Sequence, residues 1–360
     1  MGFGIVGAGM IANFHARALE AMSTGRLLAV CDTAPGRAEE FGRKHGCRGY
    51  DDLDAFLAHP GLEIVTVSTP SGIHLEPIRR AAAAGKHVIC EKPLEVTVDR
   101  ADQVIAACRE NGVTLSGIFP RRFKDAVILL KKTVDNGRLG KITLADAAIK
   151  WFRSQAYYDS GDWRGTWRLD GGGALMNQGI HTVDLLLHFM GEVRSVCALA
   201  RRAAHERIEV EDVAVAMLDF KSGAVGTIEA TTNVYSKTGH PAEIHLCGTE
   251  GTVFLRDNQF GVWEFKDETE EDVRIRETLG VRAGDRATGA ADPTAIDFEG
   301  HRRNFEDAVE SIRSGRPPRV GGDEARRAIE LIQAVYLSAQ HGGRRVDLPL
   351  RERPEPRPFG

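Results

Sequence analysis

The segment Gly7-Ala8-Gly9-Met10-Ile11-Ala12 stands between an apolar run, Phe3 to Val6, and a stretch whose apolar residues recur at helical spacing. Few local sequences constrain a fold so tightly. Gly7 permits a tight turn, Gly9 lets a ligand approach the backbone, and Ala12 is small enough for the helix to pack on its strand. The helix N-terminus then offers unpaired N–H groups and the positive end of its dipole to an anion. Asp32 ends the next apolar run, LLAVCD, some twenty residues on. A carboxylate there accepts ribose hydroxyls and repels a 2′-phosphate. These features predict a pyrophosphate site for a dinucleotide, NAD favoured over NADP, formed by Gly7, Gly9, Met10 and Ile11 with Asp32 and, nearby, Arg37.

Short apolar runs continue to alternate with amphipathic stretches up to about residue 120: Leu27 to Cys31, Ile64 to Ser68, His87 to Cys90 and Val113 to Gly117, with helical spacing near 11–22, 35–45, 74–84 and 97–111. Such alternation implies a parallel sheet covered on both faces. After a helix near 122–136 the order changes, because strands follow one another across turns such as Lys221-Ser222-Gly223. Ile142 to Trp151, Val213 to Phe220, Ala224 to Val234, Ala242 to Cys247 and Thr252 to Leu255 predict a mostly antiparallel open sheet. An apolar helix over 172–190 interrupts it, and helices near 299–314 and 323–341 follow. The expected class is α/β: a Rossmann domain over 1–121 and an α+β domain over 122–350. A loop-rich excursion is expected over 266–298, and an extended or disordered tail over 351–360.

The 47 Lys and Arg nearly balance 51 Asp and Glu, giving a net charge of −4. With no long run of one sign, nucleic acid and anionic membrane are poor partners. Six cysteines without a C-x-x-C pair read as reduced thiols, which suits the cytoplasm. No apolar run approaches the roughly 18 residues of a bilayer span, and MGFGIVGAGMIA lacks the basic leader of a signal peptide. No cluster with metal-ligand spacing is evident outside the 177–188 stripe described below.

In an open parallel sheet the ligand lies beyond the carboxyl ends of the strands. That places Ser68, Thr69, Pro70 and His74 from one strand end, and Glu91 and Lys92 from another, on the dinucleotide side. In the helix over 172–190 the polar exceptions Asn177, His181, Asp184 and His188 fall at steps of four, three and four, so they form one stripe. A buried polar stripe is either a structural network or the wall of a site. The preceding segment, Trp151 to Arg168, is rich in Trp, Tyr and Arg, residues that stack on sugar rings and fork onto carboxylates or phosphates. Tyr157, Tyr158, Arg164 and Arg168 are candidate substrate contacts there, with Arg122 a weaker one.

The glycine turn, TPSGIH at 69–74, EKP at 91–93, FPRRF at 119–123 and WRGTWRLDGGGALMNQGIHTVD at 163–184 together resemble the Gfo/Idh/MocA oxidoreductases over nearly the whole chain. The resemblance implies a Rossmann domain joined to an open-sheet domain that mediates association into a homodimer or homotetramer. It implies sugars, sugar nucleotides or cyclitols as substrates. The family's catalytic lysine falls on Lys92, followed by a proline that is often cis, here Pro93. Trp163 and Arg164 come near the cofactor by the same analogy. Family members commonly carry an aspartate four residues before the motif histidine, and here that position is Asn177. A neutral amide can hold a hydroxyl but not take its proton, so acid–base work narrows to His181 and Lys92. The N-Q-G-I-H variant resembles members acting on nucleotide sugars or aminosugar uronates.

The expected function is NAD-dependent hydride transfer at a secondary alcohol of a sugar, sugar derivative or cyclitol. His181 would serve as the base, Lys92 and Asn177 would hold the hydroxyl, and Asp184 would either orient the imidazole or form a helix-surface ion pair. The roles of His181 and Lys92 can be exchanged. Two alternatives stand beside it: an NAD-dependent glycosidase or lyase acting through transient oxidation, and a non-catalytic dinucleotide sensor. The presence of both Lys92 and His181 argues against the sensor.

Overall fold

The computed structural model describes residues 1–282 and 298–359. The chain divides into two units, residues 1–120 with 297–326 and residues 121–296 with 327–360.

The first unit opens with β1 (Gly2–Val6), α1 (Met10–Glu20), β2 (Arg26–Cys31), α2 (Arg37–His45), β3 (Arg48–Tyr50) and α3 (Leu53–Leu57). It continues through β4 (Leu62–Val67), α4 (Leu75–Ala83), β5 (His87–Cys90), α5 (Val98–Glu110) and β6 (Leu115–Gly117). All six strands are parallel, in the order β3-β2-β1-β4-β5-β6. This is the doubly wound order of dinucleotide-binding domains, with the switch point between β1 and β4. Strand β1 is buried along its whole length, as a central parallel strand covered on both faces must be. The short β3 and the one-turn α3, which buries Phe56 and Leu57, were not expected from the sequence.

In the second unit, α6 (Asp125–Asp135), β7 (Ile142–Lys150) and α7 (Gln155–Asp159) lead to a π-helical turn, Ala174–Gly179, that runs into α8 (Ile180–Met190). The strands β8 (Val193–Arg201), β9 (Val213–Phe220), β10 (Val225–Thr231), β11 (Glu243–Gly248), β12 (Gly251–Arg256) and β13 (Gln259–Phe265) follow. After them come α9 (Glu270–Leu279), then α10 (Glu299–Ser314), which belongs to the first unit, α11 (Gly322–Gln340), which starts in the first unit and continues in the second, and β14 (Val346–Asp347). The sheet order is β13-β12-β11-β7-β10-β9-β8-β14, antiparallel except where β7 meets β10. The mostly antiparallel sheet is as expected. On β9 small residues face inward (Ala214, Ala216) while Val215 and Met217 face out.

Two expectations need correction, and a third gains a detail. The chain does not divide at 122 once and for all, since α10 belongs to the first unit: Phe305, Ala308 and Val309 share a core with Phe3, Ala18 and Leu19. Within 266–298, residues 270–279 form α9, started by a capping box in which Thr269 and Asp272 exchange bonds; residues 283–297 lie outside the described residues. The tail is extended but docked. Phe359 is buried against Tyr336 and Trp167, its N–H donates to the Glu209 carbonyl at 3.2 Å, and the Trp167 indole donates to the Arg357 carbonyl at 2.9 Å.

Candidate functional site

In the first unit the phosphate turn is built as its sequence requires. Gly7 has φ +93°, and a Cβ there would stand 2.9 Å from the Ser68 and Thr69 backbone, so only glycine fits. Gly9 caps α1 with no side-chain hydrogen bond, and the first turn carries no acidic residue, leaving the positive helix end uncompensated. A Cβ at Gly9 would meet no described atom within 4 Å, so the backbone lies open to a ligand. Met10 is exposed and Ile11 half-buried beside it.

Asp32 is held by backbone on both oxygens: Ala8 N–H donates to Oδ2 and Ala34 N–H to Oδ1, each at 2.8 Å. The first bond links the carboxylate to the glycine turn itself. Arg37 Nη1 lies 3.7 Å from Oδ2 with its side chain mostly exposed. The Ser68 hydroxyl donates to the carbonyls of Val6 and Gly7, locking the turn to the end of β4. Thr69 Oγ1 is buried with no protein partner. These features fit a dinucleotide: an uncapped helix end, an open backbone and a fixed carboxylate where the ribose belongs.

His74 and Glu91 turn away from the role of ligand contact. The fully buried His74 brackets two strand-end loops, Nε2 facing the Thr69 carbonyl at 2.9 Å and Nδ1 that of Pro93 at 3.0 Å. It supports the cofactor side through the backbone, next to the half-buried Pro70. Glu91, expected among the cofactor contacts, is buried, and its Oε1 lies 2.9 Å from His15 Nε2 and 3.5 Å from His301 Nε2. Burial alone would raise its pKa, but hydrogen bonds and charge from the two imidazoles reverse this and hold the carboxyl well below its usual range. Lys92 follows at once, joined to Pro93 by a cis peptide.

In the second unit the motif helix begins on three glycines. Gly172 and Gly173 leave no room for Cβ atoms, which would come within 2.1 Å of the Tyr336 hydroxyl and 1.9 Å of the Glu211 carbonyl. The Glu211 carboxylate accepts from the N–H groups of Gly173 (3.0 Å) and Leu175 (2.8 Å) and from the Tyr336 hydroxyl (3.0 Å), capping the helix from outside. The π-helical turn then sets Asn177 in a widened loop of backbone, the kind of insertion that recurs at functional sites. Half-buried His181 follows in the first turn of α8.

Asn177 donates to the Asp170 carboxylate and accepts from Gln178 Nε2 at 2.9 Å. Gln178 also donates to the Tyr157 hydroxyl at 2.9 Å, and Arg164 Nη1 donates to the same oxygen at 2.6 Å. Buried Arg153 donates from Nε to Gln178 Oε1 at 3.1 Å and lies 5.5 Å from the Tyr157 ring centre. Arg164 stacks on Tyr157 and Trp163 at 4.2 and 4.5 Å, and its own Nε is buried without a protein partner. The structure thus joins Asn177, Tyr157 and Arg164 in one network, with Trp163 stacked on the arginine. It adds Arg153, Asp170 and Gln178, which the sequence reading missed. Arg153 lies inside the aromatic and arginine-rich segment from Trp151 to Arg168, and Asp170 and Gln178 stand within the 163–184 motif.

Other expected contacts are placed elsewhere. Arg122 and Asp184 are 5% and 1% exposed and paired with each other, so they clamp the fold rather than meet substrate. Asp184 is therefore engaged by a guanidinium, not set aside for the imidazole. Tyr158 is buried with its hydroxyl 3.1 Å from Thr232 Oγ1 and its ring against His205, a core position rather than a substrate wall. His188 has its pKa pushed down to about 3 by burial and by the cations Arg122, Lys131 and Arg327, so it stays neutral. Arg168 is exposed. Among the described residues, His15, Glu91 and His301 form a group whose ligand-type atoms all lie within 4.8 Å. The sequence reading had found no such group, because the three are far apart in the chain.

No described helix is long and apolar enough to cross a membrane. Residues 1–119 match the oxidoreductase family, NAD-binding Rossmann fold, and residues 127–254 match the GFO/IDH/MocA C-terminal domain. The crystal structure of the WlbA dehydrogenase from Bordetella pertussis in complex with NADH and UDP-GlcNAcA is 32% identical, covers 97% of this chain and 99% of that one, and superposes with a TM-score of 0.85. Myo-inositol 2-dehydrogenase of Thermotoga maritima is 28% identical over 94% of this chain and 96% of its own. 2,7-anhydro-N-acetylneuraminate hydratase of Escherichia coli is 27% identical over 63% of this chain and 60% of its own. With both domains matched and the phosphate turn in place, the chain belongs to the Gfo/Idh/MocA family as an NAD-binding oxidoreductase acting on CH–OH groups of sugar-type compounds.

Proposed function

We propose that this enzyme acts on a sugar derivative bearing an acidic group, a uronate or nucleotide sugar, and that Lys92 and His181 carry the chemistry. The observation that supports the acidic substrate is the convergence of Arg153 and Arg164 on Tyr157 beside Asn177, with Arg164 Nε buried and unmatched by protein. A buried donor left without an acceptor is costly. A substrate carboxylate or phosphate supplies one in the fork geometry that arginine favours. The WlbA relative bound to UDP-GlcNAcA points the same way.

When bound, the dinucleotide supplies the hydride acceptor or donor, held by the α1 N-terminus and Asp32. Lys92 at the end of β5 stabilises developing negative charge on the reacting hydroxyl oxygen. His181 takes the hydroxyl proton in oxidation and returns it in reduction. Asn177, fixed at both ends of its amide by Asp170 and Gln178, orients rather than titrates.

We also place this chain in the cytoplasm, where its free cysteines stay reduced, and as a homodimer or homotetramer. Leu144, Leu199, Val215, Met217 and Val225 are exposed on one region of the eight-stranded sheet, with Val215 opposite Leu199 and Val225 opposite Leu144. Such an apolar patch is suited to burial against a second copy.

The test is NADH formation from NAD with UDP-GlcNAcA, myo-inositol and levoglucosan in parallel. UDP-GlcNAcA should be the best of the three. Preferred turnover of either neutral compound would sink the acidic-substrate reading, and wild-type turnover in Lys92→Ala and His181→Ala proteins would sink the catalytic assignment. The hydratase relative favours one alternative, an elimination through transient oxidation, which consumes substrate without accumulating NADH.

A further inference from the structure

Glu91 receives contacts from three separate parts of the first unit. His15, in the second turn of α1, reaches Oε1 at 2.9 Å, and His301, from α10, faces the same oxygen at 3.5 Å. The Lys92 N–H donates to Oε2 at 3.0 Å. Thr66 Oγ1 on β4 lies 3.1 Å from His15 Nδ1. One proton arrangement serves the contacts to Glu91: the Thr66 hydroxyl donates to His15 Nδ1, both imidazole Nε2–H groups point at the carboxylate, and Lys92 N–H takes the other oxygen, while His301 Nδ1 is buried with no protein partner. His15, Glu91 and His301 are 0%, 6% and 3% exposed, so water does not stand in for a lost partner.

The helix that holds His15 starts at the phosphate turn, and the residue after Glu91 is Lys92. On the far side of Lys92, His74 Nδ1 faces the carbonyls of Pro93 and Leu94 at 3.0 and 3.3 Å. The lysine backbone is thus bracketed on both sides by buried imidazoles. We infer that Glu91, gripped by His15 and His301, is a positioning residue that fixes Lys92 relative to the dinucleotide. This rests on the reading of Lys92 given above. The same three side chains have the proximity of metal ligands, but the carboxylate is already occupied by protein donors, and a positioning role uses every contact observed.

The experiment uses the intact protein and does not depend on knowing the substrate. Lys92 is modified with trinitrobenzenesulfonate, with and without saturating NADH, and its peptide is quantified by mass spectrometry while NADH affinity is read by fluorescence. In the wild type NADH should shield Lys92. In Glu91→Gln, where a tautomer switch at His15 accommodates the amide, shielding should fall by about fivefold or more while NADH affinity stays within about threefold. His301→Gln, which alters the longer contact, should show a smaller loss in the same direction.

Unchanged shielding in Glu91→Gln overturns the proposal. So does a loss of shielding that tracks a matching loss of NADH affinity, because the cluster would then support the cofactor fold as a whole. Stoichiometric transition metal in the purified wild type, absent from Glu91→Gln by elemental analysis, overturns it in favour of a metal centre. No shielding in the wild type is a different result: it removes Lys92 from the nicotinamide and takes down the parent reading first.

Discussion

Arg122 and Asp184 form a two-pronged buried ion pair, Nε to Oδ2 at 2.8 Å and Nη2 to Oδ1 at 2.6 Å, that ties the segment before α6 to the middle of α8. The fork geometry is the strongest arrangement available to these groups. Removing one partner leaves the other charged and out of reach of water. Arg122→Ala is expected to destabilise the second unit by about 3–5 kcal/mol, whereas the paired replacement Arg122→Met with Asp184→Leu should restore most of the loss. Thermal or urea unfolding of the three proteins checks this. Equal loss in the single and double variants would show that the pair adds stability of its own.

Glu211 gives stability a pH signature. Burial pushes its pKa up to about 7, against the lowering influence of the Leu175 and Gly173 N–H groups and the Tyr336 hydroxyl. The folded state therefore holds a proton between about pH 4.5 and 7 that the unfolded chain has released, and stability falls as pH rises through this window. A shift of that size corresponds to a loss on the order of 3 kcal/mol across the window. Replacing Glu211 by Gln should flatten the slope, whatever it does to absolute stability by placing an amide against backbone N–H groups. The measurement is the difference in unfolding midpoint between wild type and variant from pH 4.5 to 7.5. A constant difference would contradict the assignment.

The features legible in the sequence are those whose physics is local. Gly7 had to be glycine because its own φ is positive, and Asp32 had to follow a strand at a set distance; both stand where their spacing put them. The allegiance of α10 was not legible, because Phe305 completes a core with Phe3 and Leu19, nearly the full chain away. Neither was the direction of Glu91: neighbouring residues on a strand end point opposite ways, and only the positions of His15 and His301 settle which one turns inward. Arg122 and Asp184 looked like available charges for the same reason, since a partner 62 residues away does not show in the sequence. The stripe over 177–188 assumed an unbroken α-helix, and the π turn at Ala174–Gly179 breaks that period under Asn177.

Asp32 sets the choice between the two dinucleotides. Its oxygens are oriented by Ala8 and Ala34, so the carboxylate cannot swing aside for a 2′-phosphate. Asp32→Ala should weaken NAD binding about tenfold or more, as expected for losing hydrogen bonds to a charged group. It should also improve NADP relative to NAD, with Arg37 left free to meet the phosphate. Fluorescence titration with NADH and NADPH decides it. A variant that loses both equally would mean that Asp32 serves only to hold the turn.

The arginine network is tested most sharply by a pair of ligands that differ only at C6 of the sugar. UDP-GlcNAcA carries a carboxylate where UDP-N-acetylglucosamine has a primary alcohol, so a site built for the acid should discriminate between them in binding free energy. In the wild type the acid should bind more tightly. Arg164→Met removes the guanidinium that donates to Tyr157 and keeps a hydrophobic stem to pack on Trp163. It should erase the preference, weakening the acid by about tenfold to a hundredfold and the alcohol much less. Tyr157→Phe withdraws the oxygen that accepts from both Arg164 and Gln178. Because it loosens the arginine without removing its charge, its effect on the preference should be intermediate. Calorimetry with NADH present measures all six affinities. Equal weakening of both ligands in Arg164→Met would place the arginine against the diphosphate or the cofactor, and the acidic group would then need another partner.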